Sequence, residues 1–151
     1  MEAKKQAFIR RTQRYLDLGY DRHAAAEFVA RLADQVASPV LDVGTGKGLL
    51  AIALARRGLD VVSVDVSTAD SDLATLLAEE AGVRTRIQFH VLDASSLPYH
   101  GGHFGCVAMM DVLHHLENGD PVMKEVMRAL RPGGTLVLAD FTQEGFDLIA
   151  R

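Results

Sequence analysis

Apolar residues follow two regimes along the chain. Over residues 2–18, charge alternates with Phe8, Ile9, Tyr15 and Leu16, the spacing of an amphipathic helix. Gly19-Tyr20-Asp21 breaks this pattern, and a second helix is predicted over 22–36, with Ala26, Phe28, Val29, Leu32 and Ala33 as its apolar stripe. Ser38-Pro39 ends it, because proline disfavours helical geometry in the residue before it. From Val40 onward, short apolar runs alternate with helical segments. The runs 40–43, 61–64, 87–92, 104–110 and 135–139 are predicted strands, while 49–57 and 70–81 are predicted helices stopped by Gly58 and Gly82. Another helix is predicted to begin at Asp120-Pro121, an N-cap oxygen followed by a ring preset for the first helical position. Val122, Met123, Val126, Met127 and Leu130 supply its buried face, and Pro132-Gly133-Gly134 is predicted as a turn before the fifth strand.

Strands apolar on both faces and separated by helices imply a parallel sheet covered on both sides. Right-handed crossovers then make the fold α/β, a doubly wound, Rossmann-like sheet of about five strands with N-terminal helices alongside. A single domain is expected over residues 1–151, with an N-terminal helical segment 1–38, a core 39–141 and a short tail 142–151.

Composition narrows the function. A chain of 151 residues has room for one core of this kind, burying roughly 70% of its unfolded surface. Sixteen basic against twenty acidic residues leave a net charge of −4, which argues against a general nucleic-acid binder. Cys106 is the single cysteine and cannot form an internal disulfide. The apolar runs are too short to cross a bilayer, and the N-terminus, with Lys4, Lys5, Arg10 and Arg11, lacks the apolar stretch of a secretory signal. A cytoplasmic protein is expected, without nucleic-acid partner or membrane span.

In a doubly wound sheet, ligands sit beyond the carboxyl ends of the strands, where the strand order reverses. The first strand leads there into Leu41-Asp42-Val43-Gly44-Thr45-Gly46-Lys47-Gly48. Glycines at alternate positions let the backbone turn sharply and approach a ligand without a Cβ. A dinucleotide fingerprint would need glycine at position 49, where Leu49 stands, and Gly46-Lys47-Gly48 does not match a Walker loop. Asp65 ends the second strand, where a carboxylate can accept from both hydroxyls of an adenosine ribose.

With these residues the chain resembles the class I S-adenosylmethionine-dependent methyltransferases, in their ubiquinone/menaquinone-biosynthesis-like (type 11) branch. The loop 41–48 matches the family's first motif and Val61-Val62-Ser63-Val64-Asp65-Val66-Ser67 its second. Leu92-Asp93-Ala94-Ser95-Ser96-Leu97-Pro98-Tyr99 resembles the third. The stretch from Phe104 to Asp111-Val112-Leu113-His114-His115-Leu116 resembles the fourth, and Leu130-Arg131-Pro132-Gly133-Gly134-Thr135-Leu136 the last. The resemblance implies S-adenosyl-L-methionine as cofactor, S-adenosyl-L-homocysteine as product and a small-molecule methyl acceptor. It also implies that the Gly44-Thr45-Gly46 backbone passes beneath the methionine part of the cofactor, and that Asp42 helps to hold its amino group. Asp65 would bind the ribose and Val66 the adenine face. Asp93 and the Ala94 amide would meet the adenine edge, and Asp111 would lie near the methionine end. A cofactor-binding protein without turnover satisfies the same motifs.

His114 and His115 follow the fourth strand beside the expected reaction centre, where one could act as general base or both could pack. His100 and His103 flank two glycines without a supporting ligand pattern, so no metal is expected. Lys47 reads as solvent-facing and Cys106 as a small core side chain. Gln6, Arg10, Arg14, Tyr15 and Tyr20 belong to the segment that often closes over the substrate in similar enzymes. Relatives complete their sheet with a further antiparallel hairpin, for which residues 141–151 offer at most a short helix. An open fifth-strand edge is therefore expected, covered by a homodimer or by the N-terminal helices.

Overall fold

A computed structural model of the protein describes residues 1–33 and 35–150. The β-branched and apolar runs form five parallel strands: β1 (Val40–Val43), β2 (Val61–Asp65), β3 (Ile87–Val91), β4 (Phe104–Met110) and β5 (Leu130–Ala139). Their order in the sheet is β3-β2-β1-β4-β5. The chain steps outward from β1 to β3, then returns to the other side of β1, so the strand order reverses between β1 and β4. The helices are α1 (Glu2–Asp17), α2 (Arg22–Arg31), α3 (Leu49–Arg56), α4 (Thr68–Glu80), α5 (Asp120–Ala129) and α6 (Gln143–Ile149). This is the α/β doubly wound sheet that the sequence predicts.

Alternation along the strands divides the core into two layers. Val40, Val61, Ile87, Cys106 and Ala108 face α2, α3 and α4, whereas Leu41, Val43, Val62, Val64, Val107 and Met109 face Val122, Val126 and Ala129 of α5. Helix α3 is apolar around its circumference and is buried from Leu49 to Ala55, because the sheet covers one side and α2 the other. Ala26, Val29 and Ala30 make the α2 side of that contact. Phe28 and Leu32, assigned to the apolar stripe on periodicity, instead point outward and are 56% and 54% exposed.

Boundaries shift where side chains compete for backbone groups. Helix α2 ends at Arg31, short of the predicted 36; Asp34 lies outside the described residues. Helix α4 starts before the predicted residue 70, because the Ser67 hydroxyl caps it by accepting from the Asp70 N–H at 3.2 Å. At α5 the cap position is held by Gly119; Asp120 is already helical and donates its N–H to Asn118 Oδ1 at 3.1 Å. Pro132-Gly133-Gly134 is not a turn ahead of β5 but an irregularity within it. Phe104 pairs with Leu130 and Cys106 with Thr135, so the extra β5 residues are absorbed locally and pairing resumes through Met110 and Ala139.

The outer edge of β5 has no strand partner among the described residues. Helix α2 packs on α3 and α1 on α2, so the N-terminal helices do not take the place of an edge strand there, contrary to one of the two expected arrangements. Among the described residues, no helix is long and apolar enough to cross a membrane.

Gly105 in β4 lies against the chain entering β1: a Cβ there would stand 2.0 Å from the Ala37 carbonyl oxygen. Gly105→Ala should therefore destabilise the protein by about 1–3 kcal/mol through overpacking, read from denaturant unfolding. Unchanged stability would show that the Ala37 segment yields freely.

Candidate functional site

The loop after β1 hangs on the end of β2. The N–H groups of Gly44 and Thr45 both donate to the Val64 carbonyl, at 2.8 and 3.1 Å. Gly46 N–H donates to Asp65 Oδ2 at 2.8 Å, and Ser67 N–H to Asp65 Oδ1 at 2.9 Å. Gly44, Gly46 and Gly48 take φ of +81°, +49° and +81°, a region that side chains other than glycine enter at a cost. Two of these glycines are also fixed by packing. A Cβ on Gly44 would stand 2.2 Å from a Val112 methyl, and one on Gly48 2.9 Å from the Ala74 Cβ. A Cβ on Gly46 would meet only the Gly44 oxygen at 4.0 Å, so this glycine opens onto free space.

That space is a cleft of about 1000 Å³ across the carboxyl ends of β1, β2 and β4, of the size that holds a cofactor. Gly44, Thr45, Gly46, Asp65, Val66, Asp93, Ala94, Asp111, His114 and His115 all line it, which brings together residues predicted from separate stretches of sequence. Val66 is 72% exposed, an apolar side chain presented to the opening. Asp93 Oδ1 accepts from the Ser95 N–H at 2.8 Å, and the hydrogen bonds from Ser95 hold its carboxyl below the ordinary carboxylate range. The donor set fits an adenosyl cofactor. Asp65 retains acceptor capacity after its two backbone bonds, Asp93 adds a second carboxylate, and Gly46 leaves room for close approach.

Asp42 stands apart from the other predicted site residues. It does not line the cleft but lies behind the loop at 1% exposure, accepting from the Ser63 hydroxyl at 2.7 Å. Ser63 Oγ is 2.6 Å from Thr45 Oγ1, so a buried polar chain links Asp42 to the loop. Burial pushes the Asp42 carboxyl up to about 7; the Ser63 hydrogen bond opposes this and the nearby Asp65 charge adds to it.

Beyond β4 the chain turns at Asp111, whose φ of +57° is uncommon for a residue with a side chain. Its N–H donates to Ala139 O at 2.9 Å, and Tyr20 donates its hydroxyl to Asp111 Oδ2 at 3.4 Å. Burial raises the Asp111 carboxyl, the Arg22 charge opposing this, and burial pushes the Tyr20 phenol up to about 12. A 3₁₀ turn over Leu113–His115 then presents the paired histidines. His114 Nδ1 is 2.6 Å from Asp140 Oδ1, and its backbone N–H donates to Asp140 Oδ2 at 3.2 Å. The Phe141 N–H donates to Asp140 Oδ1 at 2.8 Å. Burial acts to raise the Asp140 carboxyl, but the bonds from His114 and Phe141 outweigh it and hold it low. His115, Phe146 and Phe141 surround the His114 ring, with centroids 4.0, 5.1 and 5.8 Å away.

Asp140 is a functional candidate that periodicity alone does not reveal. Its signal is positional: it directly follows the fifth strand, at the ligand-facing end of the sheet. Tyr15, Arg11 and Arg22 also border the cleft; Gln6, Arg10 and Arg14 do not, and Gln6 donates to Glu2. Lys47 is engaged in an ion pair with Asp70 rather than standing in solvent. The ring nitrogens of His100 and His103 face each other at 3.0 Å, and no group of three or more His, Cys, Asp or Glu among the described residues could hold a metal. Cys106 is buried, and burial pushes its thiol up to about 11.

A family model described as a methyltransferase domain matches residues 41–138. The ubiquinone biosynthesis O-methyltransferase of Psychrobacter arcticus is 35% identical over 101 residues, covering 66% of this chain and 39% of that protein. The demethylmenaquinone methyltransferase of Beutenbergia cavernae is 34% identical over 131 residues, covering 87% and 52%. The crystal structure of the cyclase SpnF matches with a TM-score of 0.72 at 30% identity, covering 78% of this chain and 44% of that one. The chain thus spans about half the length, or less, of the curated relatives it matches.

The raised Asp42 value carries a pH signature. Between an unfolded carboxylate value near 4 and the folded value of about 7, the folded state keeps a proton that the unfolded state releases. Stability should therefore fall as pH rises through this window and level off above it. Denaturant midpoints from pH 4 to 8 should show a shallower decline for Asp42→Asn, which keeps an acceptor for Ser63. Parallel profiles would place the folded Asp42 value near the ordinary one.

Proposed function

Because this chain belongs to the methyltransferase-domain family, we propose that it binds S-adenosylmethionine in the cleft and transfers the methyl group to a small-molecule acceptor, releasing S-adenosylhomocysteine. The observation that carries this reading is Asp65: one carboxylate fixes the glycine loop and still presents acceptor lone pairs to the cleft. In this reading Asp65 accepts from the ribose hydroxyls and Val66 packs on the adenine face. Asp93 and the Ala94 amide meet the adenine edge. The Gly44-Thr45-Gly46 backbone and Asp111 border the methionine end, while Asp42 stiffens the loop from behind through Ser63 and Thr45. Helices α1, α2 and α6 contribute to the same cleft, which supports reading residues 1–151 as one working domain.

When bound, the cofactor supplies a sulfonium-activated methyl group for in-line displacement. The protein's task is then to orient the acceptor, exclude water and, for a hydroxyl acceptor, take its proton. Asp140 engages Nδ1 of His114, which leaves Nε2 as the ring nitrogen for the acceptor's proton. His115 packs against that ring and keeps it in place. A cytoplasmic setting and a homodimer covering the β5 edge belong to the same proposal; the edge, without a strand partner among the described residues, and the exposed Leu138 support the latter. Dilute-solution sizing should return a dimer, and a monomer at all concentrations would remove that part.

Calorimetry should give binding with S-adenosylmethionine and S-adenosylhomocysteine but not with NAD; absence of heat with the first two would overturn the central reading. Asp65→Ala should weaken that binding by about 1–3 kcal/mol. In a labelled-methyl screen over small hydroxylated acceptors, His114→Ala should lower kcat by about 10²–10⁴ with cofactor affinity kept. Tight cofactor binding without any transfer would assign the chain a binding role instead.

A further inference from the structure

The stretch after β3 presents Leu92, Asp93 and Ala94 to the cleft, yet it belongs to no helix or strand. Its own bonds close a small turn: Ser95 N–H donates to Asp93 Oδ1 at 2.8 Å, and Ser96 N–H to the Asp93 carbonyl at 3.0 Å. A turn closed in this way moves as a unit, so its position rests on what holds its two ends. At one end, Leu92 N–H donates to the Asp65 carbonyl at 2.9 Å. At the other end the anchor lies outside the cleft, on α5.

That anchor is the pair Glu125 and Arg128, one helical turn apart. Glu125 Oε1 accepts from the Leu97 N–H at 2.8 Å, and Arg128 Nη2 donates to the Leu97 and Tyr99 carbonyls at 3.3 and 2.8 Å. The two side chains also grip each other as a fork, Nε to Oε2 at 2.8 Å and Nη2 to Oε1 at 2.7 Å. Gly102 N–H adds a bond to the Arg128 carbonyl at 2.9 Å. An ion pair three residues apart on a helix surface stabilises little by itself. Here, however, the remaining capacity of both charges is spent on the backbone of one loop, and charge-assisted bonds are about twice as strong as neutral ones. Neither side chain lines the cleft. Their effect on a ligand there is to order the loop before it arrives, which lowers the cost of binding.

Building on the reading that places Asp93 and the Ala94 amide at the adenine edge, we infer that Glu125 and Arg128 are positioning residues for base recognition. They hold Leu97 and Tyr99 so that the Asp93 carboxylate stands where it accepts from the amino group of adenine. The base preference of the cleft is thereby set from the far side of the loop.

Calorimetry on the full chain reads this as a ratio of affinities, for S-adenosylhomocysteine over S-inosylhomocysteine, whose base carries a carbonyl in place of the amino group. A site built to bond an N–H rejects an analogue that lacks it. Wild type is compared with Asp93→Ala, Glu125→Ala, Glu125→Gln and Arg128→Lys, each first checked for a folded thermal transition. Wild type should prefer the adenine ligand, and Asp93→Ala should lose that preference. Glu125→Ala should lower the ratio by about fivefold or more, and Glu125→Gln, which keeps an acceptor for the Leu97 N–H, should restore part of it. Arg128→Lys keeps the charge but not the fork, so it should shift the ratio in the same direction as Glu125→Ala, and it carries the test if the latter does not fold. With Asp93→Ala already present, either change should lower the ratio no further, because both act through Asp93. Ratios within about twofold of wild type in the α5 variants would overturn the proposal, as would equal losses for the two ligands or an undiminished loss in the Asp93→Ala background. Wild type that binds both ligands without preference would remove Asp93 from the adenine edge and the positioning role with it. Wild type that binds neither would strike the cofactor reading itself.

Discussion

Three backbone donors of the loop after β1 are held by the end of β2: Gly44 and Thr45 on the Val64 carbonyl, and Gly46 on the Asp65 carboxylate. This clamp fixes where the loop turns and hence where α3 begins, since Ile52 N–H takes its helical bond from the Gly48 carbonyl. It also sets Asp65 at the floor of the cleft with both oxygens oriented. A carboxylate with several lone pairs can hold the protein and still offer acceptors to a ligand, and a neutral side chain of similar size could not do both as strongly. Behind the clamp, the Asp42–Ser63–Thr45 chain stiffens the same loop from the buried side.

The opposite wall depends on the β4–β5 register. The extra residues around Pro132-Gly133-Gly134 are absorbed as an irregularity, after which Met110 lies beside Ala139. One residue beyond that pair, Asp111 N–H reaches Ala139 O, and Asp140 reaches both the ring and the backbone of His114. A slip by one residue would send Asp140 to the other face of the sheet and dissolve the His114 pair. The left-handed turn at Asp111 is held by these contacts and by Tyr20, so the backbone cost at that residue is offset by its neighbours.

Much of this was legible in the chain. Short β-branched runs separated by helical periods specify a parallel sheet, and the spaced glycines and Asp65 mark its ligand end, because few other residue types satisfy those backbone demands. Helix ends were less legible, since Ser67, Asn118 and Gly119 compete for caps at ranges shorter than the periodicity can resolve. Phe28 and Leu32 fit a helical stripe, yet the small Ala26 and Ala30 won the contact with α3 because they allow closer approach.

Local preference therefore determined the element types, the α/β class and the placement of the glycine loop, all of which follow from spacing within a few residues. Only the tertiary structure decided that Asp42 supports the loop from behind rather than lining the cleft, that Lys47 is paired with Asp70, and that Asp140 meets His114. It alone brought Arg11 and Arg22 beside the Tyr15 ring. Those relations join residues far apart along the chain, and they depend on burial and strand register, which no local pattern encodes.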